Sequence, residues 1–242
     1  MKIIALFVLL FCMTAIPQEK LRVLVITGGH DFERQDFFDM FADFADIDFQ
    51  SIEQPRANSV YNTAKIKEYD ALVFYDMTHT ITEEQKAAFV FMAKQGTGLV
   101  FLHHSLASYQ DWDEFKEIIG GRYNEPHRLS ENDKHKASTY KHDVTMNVHI
   151  VDPEHPVTEK IQDFELYDEV YGNFEVMDTV QPLLKTDHPE SGEVIGWAHT
   201  YGKSRVVYLQ PGHDHHAYQD PNYRLLVNRA IRWVSETCSG KP

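Results

Sequence analysis

Leu21-Arg22-Val23-Leu24-Val25-Ile26-Thr27 runs straight into Gly28-Gly29-His30-Asp31. The apolar, β-branched run has the composition of a strand buried on both faces, and the two glycines allow a tight turn and close approach of a ligand to the backbone. The same pattern returns twice, where residues 99–102 lead into His103-His104-Ser105 and residues 206–209 into Gln210-Pro211-Gly212-His213-Asp214. In an open α/β sheet, parallel strands release their loops along one edge, and ligands bind there. Three strand ends carrying imidazole therefore predict one shared site, with His30, His104 and His213 as its members. His103 is ambiguous, because adjacent strand residues point to opposite faces.

Outward from these strands, helical and extended segments alternate. Residues 33–45 place Phe37, Met40, Phe41 and Phe44 at helical spacing, and residues 49–52 and 70–75 read as strands. Residues 82–95 form a helix with Thr82 and Gln85 as a capping box and Gly96 as its stop. Residues 122–142 are polar and without period, so they read as a long loop or lid. Extended segments follow at 145–151, 164–171, 180–186, 194–199 and 203–209, and residues 221–236 close the chain as an amphipathic helix with Pro221 in its first turn. The alternation predicts one α/β domain, residues 18–242, around a mainly parallel central sheet.

The termini and charge narrow the setting. Met1-Lys2 followed by the apolar residues 3–13 has the form of a secretory signal, residues 1–17, too short for the roughly 20 apolar residues of a membrane helix. The expected location is periplasmic or extracellular, with a lipid anchor through Cys12 as the alternative and no transmembrane helix. Cys238 is the only other cysteine, so the mature chain is held by its core rather than by a disulfide framework. A net charge of −14, from 37 acidic and 23 basic residues, argues against nucleic acid or anionic lipid as partner.

Dinucleotide, phosphate-loop and H-E-x-x-H signatures are all missing, and Ser105 lacks the glycines of a nucleophile elbow. What remains is a set of proton-transfer groups: His30, His104, Glu169 and His213, with Asp31, His103, Asp214 and Trp197 as candidate substrate contacts. A carboxylate beside an imidazole fixes its tautomer and tunes its basicity. With 14 histidines in 242 residues, others, such as His79, His135, His142, His149, His155 and His188, read as surface. A divalent metal such as zinc is a second use of the same chemistry, held by two or more of His104, His127, Glu169 and His213.

These residues carry a resemblance. Residues 25–30 (VITGGH), 98–104 (GLVFLHH), 152–157 (DPEHPV), 167–171 (YDEVY), 197–203 (WAHTYGK) and Gly212-His213-Asp214 together resemble the ThuA-like, trehalose-utilisation family, over roughly residues 21–233. The resemblance implies a flavodoxin-like or class I glutamine amidotransferase-like fold and a link to carbohydrate catabolism through 3-keto sugars. It does not imply amidotransferase chemistry, because the elbow that would carry the catalytic cysteine is occupied by His103-His104. The partner implied is a small carbohydrate or keto-glycoside, acted on by His/Glu acid–base chemistry through elimination, isomerisation or hydrolysis. A non-catalytic secreted carbohydrate-binding protein on the same fold is the alternative.

Overall fold

Alternate residues of the first strand point into two different hydrophobic cores in the computed structural model of this chain, which describes residues 19–236. In chain order the elements are β1 (Leu21–Gly28), α1 (Arg34–Ala42), β2 (Ile47–Glu53), β3 (Ala71–Asp76), α2 (Glu83–Gln95), β4 (Gly98–Leu102), α3 (Asp113–Ile119), β5 (Gly121–Arg122), β6 (Thr139–Ile150), β7 (Phe164–Gly172), β8 (Glu175–Val176), β9 (Gln181–Lys185), β10 (Val194–Tyr201), β11 (Ser204–Leu209), α4 (His215–Gln219) and α5 (Pro221–Ser235). Val23, Val25, Val73, Val100 and Val207 pack against residues of α1, α4 and α5 on one face. Leu24, Ile26, Leu72, Leu99 and Val206 pack against α2 and α3 on the other. Burial on both faces is why these strands read as continuous apolar runs rather than alternating ones.

The described residues form a nine-stranded sheet in the order β2-β1-β3-β4-β11-β10-β9-β6-β7, with a separate β5-β8 ribbon. The expectation of a mainly parallel sheet is corrected. The junctions from β2 to β11 are parallel, and those from β11 through β7 are antiparallel. Among the described residues no α-helix lies between β6 and β11, so that stretch has no helical crossover of the kind parallel neighbours need. On β6, Val144, Met146 and Val148 are buried while their neighbours are exposed, as in a strand with one wet face.

The capping box of α2 forms: the Gln85 N–H donates to Thr82 Oγ1 and the Thr82 N–H to Gln85 Oε1, while Gly96 ends the helix at φ 109°. The expected lid is more ordered than its composition suggests. Residues Pro126–Arg128 and Glu131–Lys136 are short turns, and β6 begins at Thr139, inside the stretch read as loop. Among the described residues no helix is long and apolar enough to cross a membrane. The expected leader, residues 1–17 with Cys12, lies outside the described residues, as does Cys238.

Candidate functional site

β4 ends at Leu102, and the chain then turns through His103 at φ 48°, a left-handed conformation that a residue with a Cβ adopts at a cost of roughly 1–2 kcal/mol. Its surroundings hold it there. His103 is buried, its Nδ1 donates to the Gln210 carbonyl at 2.7 Å, and Tyr208 donates its hydroxyl to the His103 carbonyl at 3.0 Å. On the other side of the ring, Nε2 lies 2.8 Å from the Tyr171 hydroxyl and 2.9 Å from Glu169 Oε2. Strain of this kind concentrates at functional sites.

The loop after β11 meets this ring. Gly212 stands at φ 126°, and a Cβ there would lie 2.2 Å from the Tyr223 hydroxyl, so the position requires glycine. The buried Asp168 carboxylate clamps the loop by accepting the Gly212 N–H at 2.7 Å and the His213 N–H at 2.9 Å. This sets His213 Nδ1 at 3.3 Å from both Glu169 Oε2 and His103 Nε2. The other Glu169 oxygen lies 3.2 Å from His142 Nδ1.

His104 completes the arrangement. Its ring hydrogen bond runs to the Tyr75 backbone, and its Nε2 is buried without a hydrogen-bond partner. The His30 ring stacks over it at 4.8 Å, while His103 lies at 5.5 Å and the Tyr75 ring at 4.3 Å. His30, His104, Glu169 and Tyr171 line one cavity of about 270 Å³, rimmed by Tyr123, Glu125, His127, Tyr140 and His142. That volume lies just under the roughly 300–1,000 Å³ of drug-sized pockets and suits a ligand of single-sugar size.

The electrostatics divide the site. Burial, reinforced by the charges of His103 and His30, holds the His104 imidazole well below its ordinary pKa, so its ring is neutral at pH 7. The Glu169 hydrogen bond raises His213 against the opposing effect of burial. Burial pushes the Glu169 carboxyl up, yet the hydrogen bonds and charges of His103 and His213 more than offset it and leave the group below the usual carboxylate range. Burial lifts the Tyr171 phenol well above its ordinary value, reinforced by the Glu169 charge, so it stays a hydroxyl donor.

The structure brings His30, His104, Glu169 and His213 together, and it moves His103 from a doubtful contact to the centre of the cluster. Other candidates fall elsewhere. Asp31 is exposed and only its backbone carbonyl meets His30 Nδ1. Asp214 caps α4 by accepting the His216 N–H at 2.9 Å. His127 stands at the exposed rim, 3.6 Å from Glu125 rather than near Glu169, and the nitrogen of His104 is not among the atoms that converge on Glu169 and His213. Of the four candidate metal ligands, Glu169 and His213 thus lie in the converging group, while His104 and His127 lie outside it.

Trp197 is fully buried, packs against the Tyr208 ring at 4.3 Å and donates its indole N–H to the Ile119 carbonyl at 2.8 Å, so it has no face for a ligand. W197F is expected to cost about 1–3 kcal/mol of stability through the lost hydrogen bond and volume, measured by denaturant unfolding, with ligand affinity unchanged. The residues missed are His142, brought in by a bulge between Lys141 and Val144, and Asp168 as the clamp of the His213 loop. A Gly next to His213 is the only local signal for the clamp, and nothing local announces the bulge.

Comparison with known proteins places the fold. A model of the ThuA family, described as trehalose utilisation, matches residues 22–234. No curated protein matches the chain. Among solved structures, a putative ThuA-like protein from Parabacteroides merdae is similar at TM-score 0.75 and 18% identity, covering 90% of each chain. One from Bacteroides uniformis is similar at 0.69 and 20%, covering 93% of this chain and 95% of its own. A Salmonella typhimurium protein is similar at 0.64 and 13%, covering 88% and 99%. At these identities the likeness shows the fold. The Salmonella protein and a second one from the same organism are described as cytoplasmic, which corrects the expectation of a periplasmic, extracellular or Cys12-anchored chain.

Proposed function

Because the chain belongs to the ThuA family, whose description is trehalose utilisation, we propose that its cavity is the active site of an enzyme that abstracts a proton beside the carbonyl of a keto-sugar or keto-glycoside. One observation carries this reading: a buried imidazole, His104, has its donor committed to the backbone and its Nε2 without a partner, in the wall of a sugar-sized cavity that also holds His30, Glu169 and Tyr171. A ring fixed in that tautomer is arranged to accept a proton.

In a 3-keto-glycoside the carbonyl acidifies the C2–H bond. His104 Nε2 takes the proton, and the bonding pair moves toward C3 to form an enolate. The His103, Glu169 and His213 corner supplies the polar and charged groups beside the developing oxyanion. Collapse of the enolate expels the C1 oxygen with its bonding pair and leaves a C1–C2 double bond. His30, stacked on His104, is the candidate donor of the proton that the departing oxygen takes up. Without departure, reprotonation at C2 gives exchange or epimerisation.

The test is a panel of 3-keto-glycosides in deuterium oxide, followed by proton NMR. Deuterium is expected at C2 of recovered substrate, together with release of the C1 substituent. If neither exchange nor release occurs while unmodified sugars bind, the protein is a carbohydrate-binding module and the enzyme reading fails.

A further inference from the structure

Three side-chain atoms beside the cavity converge on one another. His103 Nδ1 must donate to the Gln210 carbonyl at 2.7 Å, so a neutral His103 presents a lone pair at Nε2. That lone pair meets Glu169 Oε2 at 2.9 Å and His213 Nδ1 at 3.3 Å, and the last two are 3.3 Å apart. A proton on His213 Nδ1 can satisfy Glu169, and the Tyr171 hydroxyl at 2.8 Å can satisfy His103. With His103 neutral, the 2.9 Å contact between its nitrogen and the Glu169 oxygen sets acceptor against acceptor, which a second ring proton or a bound cation relieves. Each proton bridges only two of the three atoms, whereas a single cation at the centre engages all of them.

We infer that His103 Nε2, Glu169 Oε2 and His213 Nδ1 form a binding site for a divalent ion of the zinc class. The dimensions fit. Zinc binds imidazole at about 2.0–2.1 Å and carboxylate at about 2.0–2.2 Å, which puts neighbouring ligand atoms about 2.9 Å apart at right angles and about 3.4 Å apart in a tetrahedron. The observed separations of 2.9 to 3.3 Å span that interval. Two imidazoles and one carboxylate select a first-row transition ion over calcium or magnesium, which take oxygen ligands.

The supporting shell is also that of a metal site. The non-ligating nitrogen of His103 donates to a backbone carbonyl, which fixes the ring and its tautomer. Asp168 holds the His213 backbone, and Glu169 Oε1 lies against His142. Glu169 lines the cavity, so the ion sits where its open positions can meet a ligand. The second histidine and carboxylate group, Asp214, His215 and His216, lies toward the surface, and Asp214 is committed to capping α4. It serves as the control.

The inference rests on reading this pocket as the functional site, and its test reads metal rather than turnover. Untagged protein is equilibrated with zinc chloride, desalted and assayed for zinc. About one equivalent is expected per chain, with binding at least about tenfold weaker in H213A and E169Q, the low end of what even changes outside the ligand set cost. H216A and D214N are expected to bind as the unmodified protein does. X-ray absorption of the zinc-loaded unmodified protein should report two imidazoles and a carboxylate, a readout that needs no variant to fold. Failure of folded protein to retain zinc, cobalt, nickel or manganese overturns the site, as does zinc lost in H216A and kept in H213A. Zinc bound at this site without any sugar turnover leaves it standing and removes the substrate reading; turnover by protein that binds no metal does the reverse.

Discussion

Replacing His104 with alanine is expected to lower turnover of a 3-keto-glycoside by about 10²–10⁴-fold while affinity for the substrate changes only a few-fold, the scale set by losing a positioned general base. The split follows from the geometry. The ring contributes a buried Nε2 without a partner, and the cavity keeps Glu169, Tyr171, Tyr123 and His142 as walls when that ring is gone. Added imidazole should restore part of the H104A rate, because the deleted ring leaves a space of its own shape beside the cavity. A structural role gives a different pattern: affinity and thermal stability fall together with turnover, and imidazole restores nothing. H104Q keeps a hydrogen-bonding side chain of similar reach but removes the base, so it should resemble H104A in rate and the unmodified protein in stability. Steady-state kinetics of the three proteins, with unfolding curves alongside, decides between the two patterns.

The sequence reading succeeds where chemistry and structure are local. β1, β4 and β11 are buried on both faces, so each appears as an apolar run whose end can be located to within one residue. It falters where long-range pairing decides. Glu169 and Tyr171 reach the site on β7, whose partner is β6 and not any strand of the parallel half, and strand order across a sheet leaves no local mark. The His103-His104 pair shows the limit most directly. Strand alternation sends adjacent side chains to opposite faces, so one of the two should have missed the site. The left-handed turn at His103 breaks that alternation, letting one ring reach Glu169 and the other line the cavity.

Trp197 and Asp214 fail as ligand contacts for a different reason. An aromatic ring and a carboxylate serve core packing and helix capping as readily as recognition, and these two are used for the first purposes. The antiparallel half was foreshadowed by the absence of helical spacing between residues 145 and 209, a signal that outweighs the α/β alternation of the first hundred residues.

Asp76, at the end of β3, carries a large expected pH effect on stability outside the His/Glu site. Its side chain is buried, and Gln54 Nε2 donates to Oδ2 at 3.0 Å. Burial raises the carboxyl to about 7, with the Gln54 side chain and a backbone hydrogen bond opposing the rise only in part. The unfolded chain holds this group near its ordinary value of 3.8. Between those two values the folded state keeps a proton that the unfolded state has released, so stability is fully present below the lower value and is lost as pH rises through the upper one. At about 1.4 kcal/mol per pKa unit, the loss is on the order of 4 kcal/mol. D76N removes the titration while keeping an oxygen for Gln54 Nε2, and its added N–H₂ meets a neighbourhood in which Gln54 Oε1 is buried and without a partner. The variant should therefore be more stable than the unmodified protein at pH 8, and the advantage should shrink steadily toward pH 4. Taking the difference between the two proteins cancels the histidines and exposed carboxylates that titrate in both. Urea unfolding at unit steps of pH measures that difference directly, and a difference that stays constant from pH 4 to 8 would show that Asp76 is ionised throughout, its charge met by the Gln54 amide.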